Sequence, residues 1–277
     1  MDYREHPVPP SLRGVVERIW SLEGEAGGNA ESQPVLPDGR PELIFHFGDP
    51  FERLADDGRA ERQAELLICG QLDRALHLRP VGRTAVLGVR LHGASATALM
   101  KMPQDALVGG TIDAADVSPA LATVMRDVRD GAGSLSHAVT LIGRKLPAIV
   151  DRSRVDRRVE HAVAVLEQRR ASIGALAADL GLTRRHLERL FREQVGITPG
   201  QLARIHRFQR ALACLEDRAD TPRPGADAAA ASGYADQAHF VREFRALAGC
   251  TPSAHLLAQA ELTGFFIARD RRRDDLY

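Results

Sequence analysis

Apolar residues in the second half of the chain recur at helical spacing. In "VDRRVEHAVAVLEQRR" the residues Val155, Val159, Ala162, Val163 and Leu166 form one stripe, the pattern of a helix with a single buried face. "SIGALAADLGL" repeats it with Ile173, Leu176, Ala177 and Leu180 and stops at Gly181. "TRRHLERLFREQVG" opens on Thr183, a capping residue type, and stops at Gly196. "TPGQLARIHRFQRALACLED" opens on Thr198 followed by a first-turn proline, Pro199. A break at "DRADTPRPG" precedes a short Ala-rich segment, Ala226 to Ala231, and then "SGYADQAHFVREFRALAGCTPSAH". The first half is patterned differently. "ELIFHF" at 42–47 and "LLICG" at 66–70 read as buried strands, and "TAVLGVRLH" at 84–92 alternates, with Ala85, Leu87, Val89 and Leu91 on one face of a half-buried strand. "PDGRP" and "FGDP" are turns, while "GGNAESQ" and "ADDGRAERQ" are surface loops. From about Gly93 the pattern becomes helical, and Pro147 ends or kinks the last stretch. The expected fold is an α+β N-terminal domain at 1–150, then an all-α domain at 151–260, then a tail at 261–277.

The helical half contains a repeat. At a constant offset of 53 residues His186 matches His239, and Leu187 matches Phe240. Arg189, Phe191 and Arg192 match Arg242, Phe244 and Arg245, and Gly196, Thr198 and Pro199 match Gly249, Thr251 and Pro252. Gly181 matches Gly233 at an offset of 52, so the second turn is one residue longer. Each copy is a short small-residue helix, a turn and a second helix with a narrow apolar face, which is the grammar of a helix-turn-helix unit. That grammar exposes the N-terminal half of the second helix: Arg184, Arg185, Glu188 and Arg189 in copy one, and Gln237, Ala238, His239 and Arg242 in copy two. Arg can bond guanine bidentately, Gln can bond adenine, and Glu can accept from cytosine. Two such helices could enter successive major grooves roughly 34 Å apart.

Charge sharpens the picture only slightly. The chain is neutral overall, with 37 Lys and Arg against 37 Asp and Glu. Up to Val150 there are 16 basic against 20 acidic residues, and after it 21 against 17, so the C-terminal half is the one suited to a polyanion. From Gly181 to Arg210 there are 7 Arg and 2 Glu, charge suited to neutralising phosphates. "MDYREHPVPP" lacks a basic start followed by an apolar run, and no apolar run reaches membrane-spanning length. Cys69, Cys214 and Cys250 are far apart and form no CxxC pair. A cytoplasmic protein with reduced thiols and no membrane partner is expected.

The text "LAADLGLTRRHLERLFREQVGITPGQLARIHRFQRAL" followed by "GYADQAHFVREFRALAGCTPSAH" resembles the DNA-binding domain of AraC/XylS-type transcriptional regulators, over about a hundred residues from Val155 to His255. The resemblance implies two helix-turn-helix units joined by one long helix at 198–217. It also implies Arg184, Arg185, Glu188 and Arg189 as the first base-reading set, with Gln237, Ala238, His239 and Arg242 as the second. Double-stranded operator DNA is the expected partner; a small-molecule effector, RNA polymerase and a second copy of the chain remain open as further ones. One departure stands out: "RPGADAAAASGY", where the first helix of unit two belongs, carries few large apolar residues to anchor it. Asp236 reads as a helix cap rather than a ligand, and His186 and His239 as packing or phosphate-contacting residues.

"LPDGRPELIFHFGDP", "GQLDRALHLRPVGRTAVLGVRLHGASATALM" and "VGGTIDAADVS" resemble a poorly characterised domain found ahead of this DNA-binding module, which implies a sensory or dimerising role. Asp38, His46 and Asp49 lie near one strand, but without HxH or HExxH spacing or a partner cysteine they read as a turn and a strand histidine, not a metal site. Trp20 beside Val15, Val16 and Ile19 reads as core, and Cys69 in an apolar strand as unreactive. No nucleophile elbow, P-loop or dinucleotide fingerprint is present. The expectation is a regulator without catalytic residues, metal or cofactor. The alternative is a small-molecule-binding or catalytic N-terminal domain with accessory DNA binding.

Overall fold

The computed structural model describes residues 1–27, 30–55, 57–168, 171–217 and 224–261. Residues 262–277 of the expected tail at 261–277, the Arg169–Arg170 end of the first helical stripe and residues 218–223 of the break lie outside them. Among the described residues the N-terminal half has ten strands: β1 Asp2–His6, β2 Val16–Glu25, β3 Gln33–Val35, β4 Glu42–His46, β5 Glu52–Leu54, β6 Ala60–Arg62, β7 Leu66–Cys69, β8 Leu76–Arg79, β9 Arg83–Leu91 and β10 Thr111–Asp113. Helices α1 Ala114–Val117, α2 Pro119–Gly131 and α3 Leu135–Lys145 follow. One antiparallel sheet runs β1-β2-β9-β4-β7-β10 and a second runs β3-β8-β5-β6.

The larger sheet is covered on both faces. Leu43, Phe45, Leu87, Val89 and Leu91 pack with Leu121, Met125, Val128 and Ile142 of α2 and α3. On the other face Trp20, Leu22 and Val86 meet Phe51, Leu76 and Leu78 near and on the smaller sheet. β9 is therefore buried on both sides, not half-buried: its alternating set faces the helices, while Val86 is covered by the second sheet and Gly88 by the Trp20 indole. A central strand between two layers loses the solvent face that alternation implies. Part of the expected loop "ADDGRAERQ" is a hairpin, with Leu54 opposite Ala60 and Glu52 opposite Arg62. β10 interrupts the region read as helical, where Ile112 pairs with Ile68.

The C-terminal half is helical throughout its described residues: α4 Arg157–Gln168, α5 Ile173–Asp179, α6 Arg184–Gln194, α7 Pro199–Asp217, α8 Pro224–Ser232, α9 Gln237–Ala248 and α10 Pro252–Glu261. One core collects the apolar faces of α4 to α9, with Leu187, Phe191, Phe208, Phe240 and Phe244 among its most buried side chains. The Ala-rich segment does form a helix, and Ala228, Ala229 and Ser232 are its buried residues. None of the described helices is long and apolar enough to cross a membrane.

The halves dock through the "PDGRP" turn. The backbone N–H of Arg40 donates to Asp38 Oδ1 at 2.9 Å, and Gly39 takes φ +81°. A Cβ on Gly39 would sit 2.9 Å from Leu202 Cδ1 and 3.1 Å from His206 Cε1, so only glycine lets α7 approach this closely. Arg40 pairs with Glu17 of β2 and, at 2.8 Å, with Glu167 of α4, and the Gln209 side chain donates to the carbonyl of Pro37.

Candidate nucleic-acid interface

The repeat is structural as well as textual. Thr183 and Asp236, 53 residues apart, hold the same position: the Thr183 hydroxyl accepts the His186 N–H at 3.2 Å, and the Asp236 carboxylate accepts the His239 N–H at 2.6 Å. Both satisfy a donor that a helix start leaves unpaired. Gly181 and Gly233 have φ +66° and +75°, and Gly196 and Gly249 have +94° and +76°. These left-handed positions let each unit turn between its helices and leave the second one. Thr198 opens α7 reciprocally: its hydroxyl accepts the Gln201 N–H at 3.2 Å while the Gln201 side chain accepts the Thr198 N–H at 2.9 Å.

At the start of α6, Arg184, Arg185 and Arg189 are exposed, the Arg184 and Arg189 side chains by 71% and 61%. Arg184 donates to Glu188 at 2.9 Å, and Arg189 to Glu193 at 2.9 Å. Exposed pairs one turn apart are worth about 0.3–0.5 kcal/mol, so a phosphate or base can displace them cheaply. Leu187, Leu190 and Phe191 are buried on the opposite face. At the start of α9, Gln237, Ala238 and Arg242 are exposed. His239 is half-buried, its ring edge-on to Tyr234 at 5.2 Å and its Nε2 3.8 Å from Glu243. His186 is likewise half-buried, with Nε2 3.1 Å from the Arg189 guanidinium.

Pattern reading missed Glu243. The 53-residue offset sets it against Leu190, and it is as buried as that leucine. Its carboxylate takes Arg207 of α7 on both oxygens, Nη2 to Oε2 at 2.7 Å and Nε to Oε1 at 3.2 Å. The Tyr234 hydroxyl donates to Oε1 at 2.8 Å, and Arg204 Nε lies 3.2 Å from Oε2. Burial, with the adjacent Glu243 carboxylate, pushes the Tyr234 phenol up, and the Arg207 guanidinium lies 4.7 Å over the same ring. The available signal was a charged residue where the other copy keeps a leucine.

In the N-terminal half two of the three candidate metal-ligating residues, Asp38 and Asp49, are committed elsewhere. Asp38 pairs with Arg90 at 3.0 Å. Asp49 accepts the Arg83 N–H at 2.8 Å. His46 is buried 5.4 Å from the Phe51 ring. Burial holds its pKa down at about 4, with the Arg129 and Arg62 charges adding to the depression. Burial also pushes the Cys69 thiol far up. Among the described residues no group of three or more His, Cys, Asp or Glu is placed to hold a metal ion.

Duplicated helix-turn-helix units on one linking helix, with basic and amide side chains at the exposed helix starts, define a DNA-binding transcriptional regulator. Residues 176–257 match the helix-turn-helix domain family, and residues 4–113 match a domain of unknown function, DUF6597. The chain thus joins an AraC-type helix-turn-helix domain to an N-terminal DUF6597 domain. No curated protein matches it. Among solved structures, a probable AraC family transcriptional regulator from Rhodopseudomonas palustris CGA009 is 29% identical over 37% of this chain and 97% of its own, with a TM-score of 0.33. A DNA-binding transcriptional dual regulator from Escherichia coli K-12 is 21% identical over 38% and 93%, TM-score 0.32. ToxT from Vibrio cholerae is 10% identical over 95% and 100%, TM-score 0.46.

Proposed function

We propose that the chain reads two successive major-groove segments of double-stranded DNA, using α6 and α9 as recognition helices. Arg184, Arg185, Glu188 and Arg189 form the first base-reading set, and Gln237, Ala238 and Arg242 form the second, with His239 at its inner edge. Residues 1–150 form a sensory or self-associating domain, and 151–260 form the DNA-binding domain. The observation that carries the reading is the equivalence of the two helix starts. Each is capped by the residue at the matching position, and each presents its polar side chains outward while its apolar face is buried.

Selection of bound sequences from a random double-stranded pool by the full chain tests this directly. The expected product is a two-part site with its halves about one helical turn apart. Arg185→Ala should then relax one half of the site and weaken binding by roughly 5- to 150-fold, the worth of a bidentate base contact. Affinity should fall linearly in log–log form with salt as counterions are released. A pool that yields no sequence, or an affinity indifferent to salt, overturns the reading.

A further inference from the structure

The two units are seated by different chemistry. In the first, the α6 residues facing the core are Leu187, Leu190 and Phe191. In the second, the corresponding α9 residues are Phe240, Glu243 and Phe244. The partner helix differs too: α5 contributes Leu176 and Ala177, whereas α8 buries only Ala228, Ala229 and Ser232. A polyalanine helix gives α9 little relief to interlock with. The missing definition comes from α7, whose Arg207 forks both Glu243 oxygens while Arg204 and Tyr234 complete the carboxylate's shell.

We propose that Glu243 is a positioning residue that fixes the rotation of α9 on α7, and through it the register in which the second unit meets DNA. The inference rests on the two-groove reading above. A leucine in a core is held by shape alone and tolerates small rotations, whereas a bidentate fork has one geometry. Rotation is what recognition is sensitive to. Side-chain tips lie roughly 5–6 Å from a helix axis, so a turn of about 20° moves the Gln237 and Arg242 tips by about 2 Å, more than a hydrogen bond to a base edge accommodates. His239, lying between Tyr234 and Glu243, moves with the same cluster. A buried ion pair used for register rather than for net stability is an established role for such groups.

The test uses the full chain and the two-part site that it selects from a random pool. The half read by α6 is identified as the one that Arg185→Ala relaxes. Each base of both halves is then substituted and the binding measured for wild type and Glu243→Gln, which keeps the shape but removes the charge. The expected result is about a tenfold loss on the intact site, with discrimination flattened in the α9 half and unchanged in the α6 half. Tyr234→Phe and Arg207→Lys, which keep the carboxylate buried beside a cation, should give smaller losses confined to the same half. They carry the readout if Glu243→Gln does not fold. Variants that keep wild-type discrimination in both halves, or lose it equally in both, overturn the positioning role. A wild-type chain that selects no sequence overturns the DNA reading itself, and this inference with it.

Discussion

His255 and His206 share the helical half and are driven in opposite directions. His255 is buried, with Nε2 3.3 Å from the Glu216 carboxylate. Burial works against its charge, but Cys250 and Glu216 outweigh that and raise its pKa to about 9. His206 is lowered to about 3, first by burial and then by the Arg40 and Arg210 charges, and its Nε2 has no hydrogen-bond partner among the described residues. The linkage follows from these directions. His255, with a raised pKa, contributes stability fully below the ordinary histidine value of about 6.5, and that contribution is lost as pH rises towards about 9. His206 and His46, with lowered pKa values, contribute fully above about 6.5 and lose it as pH falls through about 4 and then about 3. Urea unfolding across pH should therefore show stability falling on both sides of neutrality. His255→Gln should flatten the alkaline limb and His206→Gln the acid limb, each by an amount on the order of 2 kcal/mol. An unchanged limb in either variant would remove that histidine from the account.

The helix starts set a second level of prediction. Asp236 accepts at 2.6 Å and carries a charge at the positive end of α9, whereas Thr183 accepts at 3.2 Å with a neutral hydroxyl. Asp236→Ala should cost about 1–2 kcal/mol and Thr183→Ala about 0.5–1 kcal/mol, measured as shifts in urea midpoint at constant slope. The equality of these two positions explains what the sequence made legible. Caps, helix-ending glycines and apolar anchors act through near-neighbour geometry, so they kept their spacing in both copies to within the one extra residue of the second turn and announced α5, α6, α7 and α9 without coordinates. Glu243 escaped because its partners Arg204 and Arg207 come from another helix, and no local rule points to them. The three-residue strands β6 and β10 escaped because their register is imposed by β5 and β7. Ala-Glu-Arg and Thr-Ile-Asp are too short to show a period. The second burial of β9 was hidden for a related reason: Val86 and Gly88 are covered by a sheet and an indole that alternation cannot foresee.

The N-terminal half reaches under both helix-turn-helix units at once. Thr97 Oγ1 donates to the carbonyl of Gln194 at 3.3 Å, and the Gln104 carbonyl lies 2.9 Å from where a Cβ on Gly196 would be. Both contacts fall at the C-terminal end of α6. The Ala75 N–H donates to the carbonyl of Leu247 at 2.7 Å, near the C-terminal end of α9. These are the ends opposite the polar starts, so docking leaves Arg185 and Gln237 outward while it ties the two units into one frame. Arg40 is the central fastening. Its side chain and that of Glu17 are 10% and 8% exposed, and its second partner, Glu167, lies on α4 of the helical half. Arg40→Ala would remove the cation that Glu17 and Glu167 share, and breaking a buried pair costs up to about 3–5 kcal/mol. The Arg40–Glu17 pair lies within the N-terminal half and the Arg40–Glu167 pair crosses to α4. The share of that cost carried by Glu167 falls on the contact between the halves, whose apolar clusters are otherwise separate, Leu43, Phe45 and Leu87 in one and Phe208, Phe240 and Phe244 in the other. Calorimetry of the full chain should therefore show the wild type unfolding in one transition and Arg40→Ala in two, with the first at a lower temperature. A single transition at the wild-type temperature would mean that the Arg40 pairs contribute nothing to docking, and that the frame rests on the Gly39 approach to Leu202 and His206.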